Sequence, residues 1–399
     1  MSTQHLRPAG DREAAELIRD AAQSGTSFEI ISSGTKRNLG RPVAANGLLD
    51  MSALAGIIDY KPEELVLSAR AGTRLSEIEA VLAEHHQILG FEPREWAPML
   101  GAPAGMQTIA GVVAADVCGP RRVKSGSVRD HVIGCRFING HGEIIKAGGT
   151  VIKNVTGFDI PKLMCGAFGT LGVLTEVTLR VLPRAQLSAT LVLYNRAPEA
   201  GLGALIVAAQ TPADATALAY LPRLAIGSMG SSARDSRGAA LIRIDGTPAA
   251  LDEKIRLLRA RFPEAETALL NHEETETVFR NIGDGSVFGH EGDIWRLCVP
   301  PSRAAQTIAE AEAQLWYADW AGGLLWLQLP ASPEVAQRLR GITAKFGGHA
   351  TLFRASPEAR QAIDVFEPEA PVRSNLTKAV KQAFDPERVF NRGRMFEYL

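Results

Sequence analysis

"SSGTKRNLG" (residues 32–40) follows a short apolar stretch, residues 28–31, and joins small residues to Gly34, Thr35, Lys36 and Arg37. Small side chains let the backbone approach a ligand, Gly34 tolerates unusual φ/ψ, and free N–H groups beside Lys and Arg form a concave site for an anion. Phosphate is the natural candidate. The stretch has neither the Walker spacing ahead of a Lys-Ser/Thr pair nor the three glycines of the dinucleotide fingerprint. Its meaning therefore depends on the chain around it.

Upstream, "DREAAELIRDAAQS" (11–24) places Ala14, Leu17, Ile18 and Ala21 on one helical face and stops at Gly25. Downstream, "ELVLSARAG" (64–72) reads as a strand and "RLSEIEAVLAEHHQ" (74–87) as a helix. The stretch 101–127, "GAPAGMQTIAGVVAADVCGPRRVKSGS", has almost no helical or strand period, yet it is too apolar for a solvated linker. It reads as backbone packed closely against something. "VIGCRFI" and "EIIKAGG" flank "NGHG" as a hairpin, and "GVLTEVTLRVLP" supplies a further strand ending at Pro183.

Beyond Pro183 the texture changes. Strands are expected at 188–195, 239–246, 294–300, 324–330 and 350–355, with helices near 200–210, 249–261, 303–316 and 333–346. That alternation predicts an antiparallel sheet with helices on one side. The last 25 residues read as one amphipathic helix and then a tail.

Composition excludes several classes of protein. With 399 residues, 46% hydrophobic and 22% charged, the chain is expected to fold as an ordinary soluble protein of two or three domains. Forty-three basic and 44 acidic residues leave no global field for nucleic acid or an anionic membrane. Apolar runs such as "ALIVAA" (204–209) and "LLWLQL" (324–329) are far shorter than the roughly 20 residues of a spanning helix. The N-terminus lacks the basic-then-apolar order of a secretory signal, so cytoplasmic residence is the expectation. Cys118, Cys135, Cys165 and Cys298 are too widely spaced for a chain-local metal site or a disulfide framework, and are read as buried thiols.

The phosphate-friendly turn, the small-residue lining at 101–127, "GAFGTLGVLTEV" (166–177) and "FDPERVFNRGR" (384–394) form a set. With "IWRLCVPP" (294–301) and "GGHATLFRA" (347–355), that set resembles the flavoproteins of the vanillyl-alcohol oxidase type. Within them the chain is similar to the E-subunit family of bacterial glycolate oxidases, over nearly its whole length. The resemblance implies an α+β fold: a two-subdomain PCMH-type FAD-binding domain (residues 1–183), a cap domain of antiparallel sheet plus helices (184–370), and a C-terminal segment (371–399) returning to the FAD domain.

Onto these residues the resemblance carries specific roles. The FAD pyrophosphate would meet Ser33, Gly34, Thr35 and Lys36, and a second loop would close on the flavin through Thr108, Ile109, Gly111 and Val112, with Ala115, Gly119 and Ser125 further along. Gly172 and Val173 would contact the adenine end. Asn391 would sit beside the isoalloxazine and Arg394 would anchor the tail; Arg392 stands where the family usually has Pro, which removes a rigid φ and adds a charge. Each stretch also has a purely structural reading, as an ordinary turn, a Gly/Ala packing seam, plain β-structure or a surface charge cluster.

As an E-like subunit, the chain would join a catalytic D-like flavin subunit acting on a small 2-hydroxy acid and an iron–sulfur F-like subunit. Attachment to the inner face of the plasma membrane would then come through those partners. Its own flavin would relay electrons or help hold the assembly together. An autonomous FAD-dependent dehydrogenase and a cofactor-free interaction subunit are the alternatives. No histidine lies in either flavin loop, so the FAD is expected to be dissociable. No catalytic base is assigned. "NIGDGSVFGHEGD" (281–293) echoes a metal-binding Gly-Asp-Gly run but lacks its first His, and is read as a turn-rich loop. His85, His86 and His349 are read as structural, and Arg296 and Arg354 as strand residues that either bind an anion or pair at the surface.

Overall fold

Ala14, Ala15, Ile18 and Ala21 give the helix Asp11–Ser24 one small, apolar face, which is fully buried. Asp11 and Glu13 occupy its first turn, where the helix dipole favours anions, and Glu13 Oε2 accepts from Ala9 N at 2.8 Å. The buried face packs on Phe28, Leu49, Met51, Ile138 and Val173, in a core that Val389 and Phe390 complete from the far end of the chain. The computed structural model describes residues 4–149, 158–226 and 237–399.

Two compact units divide the chain. The first comprises Met1–Val117, Gly126–Pro183 and Asp364–Leu399. It contains a three-stranded parallel sheet with Gly47–Asp50 between Gln4–Leu6 and Phe28–Ile31. Its second sheet is antiparallel, in the order Ile57–Lys61, Val66–Arg70, Val173–Arg180, Val132–Ile138, Ile144–Gly148. The strand Val173–Arg180 is central, and Val173, Val177 and Leu179 are buried. The helix Pro371–Phe384 leads into a tail that lies along Phe28: Phe28 N donates to Val389 O at 2.7 Å and Asn391 N to Phe28 O at 2.9 Å.

The second unit comprises Cys118–Ser125 and Arg184–Ile363. Its sheet has eight antiparallel strands among the described residues: Thr267–Leu270, Leu187–Leu193, Gly238–Gly246, Ala217–Pro222, Leu315–Asp319, Leu324–Gln328, Ile294–Cys298 and His349–Arg354, in spatial order. Helices such as Pro198–Ala209, Pro248–Arg261, His272–Asp284 and Pro333–Ala344 connect them.

Several expectations need correction. Residues 118–125 belong with the second unit, not the first, because Arg121 pairs with Asp245, Lys124 with Asp214 at 2.5 Å, and Trp320 Nε1 donates to Gly119 O at 3.1 Å. The supposedly aperiodic 101–127 stretch forms the helix Ile109–Ala114. The helix expected over 303–316 ends at Ala311, where Glu312 turns left-handed (φ 55°), and Leu315–Asp319 is a strand. Residues 281–284 finish a helix instead of opening a loop. Arg354 is engaged by carbonyls of that neighbourhood, donating to Gly289 O at 2.7 Å and Gly292 O at 2.8 Å, so it is not an anion site. Among the described residues no helix is long and apolar enough to cross a membrane.

Candidate functional site

The turn after Phe28–Ile31 builds the floor of a cleft of about 510 Å³. Gly34 adopts φ +70°, a left-handed conformation that an L side chain resists, and Arg37 N closes the turn on Gly34 O at 3.2 Å. Bending there leaves the backbone N–H groups of Gly34, Thr35 and Lys36 without acceptors among the described residues. The hydroxyls of Ser32 and Ser33 are buried and equally unpartnered. Buried polar groups are rarely left unsatisfied. Three consecutive donors and two orphaned hydroxyls on one wall therefore define a nest that suits an anion.

Lys36 adds the charge. Its Nζ donates to Gln107 Oε1 at 3.2 Å and lies 3.4 Å from Thr35 Oγ1. Burial lowers its pKa to about 8, against an opposing pull from Glu95. A partly desolvated ammonium facing unpaired donors gains more from an arriving anion than an exposed one would.

The opposite wall is the helix Ile109–Ala114. Ile109, Val112 and Val113 turn into the core and are buried, which leaves Ala110, Gly111, Ala114 and the following Ala115 to line cleft space. Ile109 N and Ala110 N are already used, donating to Thr73 O and Ala71 O. Gly111 is the open position: a Cβ there would touch only Thr108 Oγ1, at 3.5 Å. A second, more apolar cleft of about 540 Å³ shares Ile30, Ile31, Ser32, Gly111, Ala114, Phe168 and Asn391 with the first, and extends to Met51, Met164, Gly172 and Leu174. A polar nest continuous with an apolar slot is the usual make-up of a cofactor site.

Of the residues singled out in the sequence, Ser33, Gly34, Thr35, Lys36, Thr108, Gly111, Ala115 and Asn391 line the polar cleft, and Gly172 lines the apolar one. Ile109, Val112 and Val173 are core residues whose side chains line neither cleft. Gly119 and Ser125 belong to the second unit. The amide of Asn391 is not held ready for a ring edge: Oδ1 accepts from Ile30 N at 2.8 Å and Nδ2 donates to Phe168 O at 2.7 Å. It fixes the strand end and the 166–172 loop on either side of the cleft. Arg394 anchors the tail to the nest, donating to Lys36 O at 2.7 Å. Arg392 lines neither cleft and donates to Gly25 O at 3.3 Å.

Other supports were not visible in the sequence. Glu29 accepts both arms of Arg37, at 2.9 and 2.5 Å, and lies 3.6 Å from Arg394 Nη1, so one buried carboxylate ties the turn to the tail. Lys381, 4% exposed, pairs at 2.7 Å with Asp385, which is fully buried, and donates to Thr170 O at 2.7 Å and Phe390 O at 3.3 Å. Asp385 in turn accepts from Val389 N and Phe390 N, at 2.8 and 3.0 Å. In sequence, Lys381 and Asp385 look like an ordinary i,i+4 surface pair.

Comparison with known proteins identifies the architecture. A family model described as "FAD binding domain" matches residues 4–148. Glycolate oxidase subunit GlcE of Escherichia coli is 34% identical over 387 residues, covering 96% of this chain and 97% of that protein. The chain belongs to the GlcE family. A shorter likeness runs to glycolate oxidase subunit GlcD of Bacillus subtilis, 35% identical over 123 residues, or 30% of this chain and 24% of that one. The crystal structure of p-cresol methylhydroxylase superposes with a TM-score of 0.70 at 13% identity, covering 98% of this chain and 88% of the other. The GlcE-family chain is thus an FAD-linked oxidoreductase with the α+β PCMH-type fold.

Proposed function

We propose that the two joined clefts hold FAD, with the pyrophosphate on the Gly34–Lys36 nest and the adenine end in the apolar slot beside Gly172. The observation that carries this reading is the row of unpaired donors at Gly34, Thr35 and Lys36 beside the orphaned hydroxyls of Ser32 and Ser33. When bound, a flavin supplies two-electron acceptance from an organic donor and one-electron delivery to a relay. This chain's residues bind and orient it: the nest and Lys36 neutralise the diphosphate, Gly111 admits it, and Asn391 and Arg394 keep the walls in place.

The chain acts, on this reading, as the flavin subunit of a glycolate oxidase-type 2-hydroxy-acid dehydrogenase complex. Its flavin carries electrons or stabilises the assembly beside a catalytic D-like flavin subunit and an iron–sulfur F-like subunit. The full-length similarity to a protein named as a glycolate oxidase subunit supports it. Anaerobic absorbance spectroscopy tests it: the purified chain shows a flavin spectrum that glycolate does not bleach until the D-like subunit is added. Rapid bleaching by glycolate alone would overturn the non-catalytic role and establish an autonomous dehydrogenase.

Lys36 gives a second test, with a definite sign. Its pKa is about 8 before the diphosphate arrives, and a neighbouring dianion favours the ammonium and raises it. Binding therefore takes up a proton above pH 8, and FAD affinity is full below pH 8 and falls as pH rises through it, by at most about tenfold per unit. Titration of apo-chain with FAD from pH 7 to 9.5 will show that slope. Lys36→Met will weaken binding by roughly 10- to 100-fold at pH 7 and flatten the profile. A flat wild-type profile would contradict the assignment.

A further inference from the structure

Cys298 ends the strand Ile294–Cys298 in the second unit, where its register partner on the neighbouring antiparallel strand is His349. As a directly opposed pair, the imidazole and the thiol lie on one face of the sheet. Arg296, two residues earlier and so on the same face of the strand, stacks 5.1 Å from the centroid of Trp320. Arg122 stacks on the same indole at 4.6 Å and places Nη1 3.7 Å from Cys118 Sγ. Among the described residues no carboxylate pairs with Arg296, and its buried Nε has no hydrogen-bond partner. The other flanking strand contributes Leu324 opposite Cys298, an apolar neighbour. His349 and Arg296 thus share a sheet face with the Cys298 sulfur, Trp320 brings Arg122 alongside Arg296, and the cross-strand row continues through the apolar Leu324 to Asp319. His349 is exposed and Cys298 only partly buried, so solvent reaches the pair.

We propose that Cys298 is a thiolate reaction site of this protein, which takes soft electrophiles and is oxidised by hydroperoxides. Two of the other thiols give the contrast. Burial pushes Cys135 up to about 12 and raises Cys165 further, whereas Arg296, His349 and Arg122 bring Cys298 down to about 7 against its own burial. In the oxidation, Sγ attacks one peroxide oxygen, an S–O bond forms and the O–O bond breaks. Sulfur loses two electrons and becomes a sulfenic acid, while the departing oxygen leaves as alkoxide or hydroxide and takes a proton from solvent. A thiol half-ionised near neutrality is poised for both reactions.

The test is iodoacetamide labelling of the intact, flavin-loaded chain, quantified peptide by peptide from pH 5.5 to 9.5. At pH 7 Cys298 is expected to react at least about tenfold faster than Cys135 and Cys165, with a midpoint near pH 7. Equimolar hydrogen peroxide followed by dimedone should mark Cys298 as the sulfenate. Arg296→Met should slow labelling at pH 7 several-fold and move the midpoint upward; if that variant does not fold, His349→Asn and the wild-type profile decide. Equal rates for the three cysteines, a wild-type profile still rising beyond pH 8.5, or no dimedone adduct at Cys298 would overturn the proposal.

Discussion

Replacing Gly111 by Leu will abolish FAD binding and leave the fold intact. Gly111 lies within the helix Ile109–Ala114 and faces the space shared by both clefts, so a larger side chain projects into the volume assigned to the cofactor. The backbone there needs no left-handed conformation, and the nearest atom to a new Cβ is Thr108 Oγ1 at 3.5 Å, an ordinary contact. Gly-to-Leu in a helix interior gains some tenths of a kcal/mol, up to about 1, in propensity. The expected result is a loss of FAD affinity of roughly 100-fold or more, about 2.7 kcal/mol, with an unchanged or slightly raised melting temperature of the apo-chain. Gly111→Ala, which adds one methyl group, should stay within a few-fold of wild type. Fluorescence titration with FAD and a thermal melt measure both quantities on one sample. Wild-type affinity in the Leu variant would place the cofactor elsewhere.

Lys381→Met will destabilise the first unit by about 3–5 kcal/mol, the cost of leaving a buried partner charge uncompensated. Asp385 is fully buried, and without the ammonium its carboxylate keeps only the N–H groups of Val389 and Phe390. The carbonyls of Thr170 and Phe390 lose their donor as well. A loss of that size in a unit of this length lowers the midpoint by roughly 10 °C. Because the pair pins the helix Pro371–Phe384 to the 166–172 loop and the tail, FAD retention should fall with stability. Gln382→Met, at the next and exposed position of the same helix, should change stability by less than about 0.5 kcal/mol. Chemical denaturation followed by circular dichroism separates the two outcomes. Equal, small effects for both variants would show that the buried pair does not hold the tail.

How much of this could be read from residues alone follows from where the information resides. The helix Asp11–Ser24 and the hairpin Val132–Ile138 with Ile144–Gly148 are legible because a 3.6-residue apolar period and an Asn-Gly turn are local signals. The helix Ile109–Ala114 is not, since Gly and Ala on its cleft side blur any period. The strand Leu315–Asp319 was hidden in a longer helical reading, and Ala217–Pro222 was missed because nearly all its side chains are buried and no alternation marks it.

The nest itself announces its chemistry in Gly34, Thr35 and Lys36, because a turn of small residues beside a cation has few other uses. Its supports do not. Glu29, Gln107, Lys381 and Asp385 become buried partners only through contacts far apart in sequence, which no spacing encodes. Asn391 shows the same limit from the other side: its place in the cleft is readable, but the commitment of its amide to Ile30 and Phe168 is a tertiary fact. Cys298 looks like any buried thiol until folding sets His349 opposite it and gathers Arg296 and Arg122 on Trp320.

The central claim is that the turn at residues 32–37 and the helix at 109–114 enclose one FAD. Purified chain, saturated with FAD, desalted and then heat-denatured, releases its flavin for quantification by chromatography and absorbance. The account predicts close to one equivalent of unmodified FAD per chain from wild type and almost none from the Gly111→Leu variant. Negligible flavin from the wild-type chain, or equal amounts from both, would contradict it.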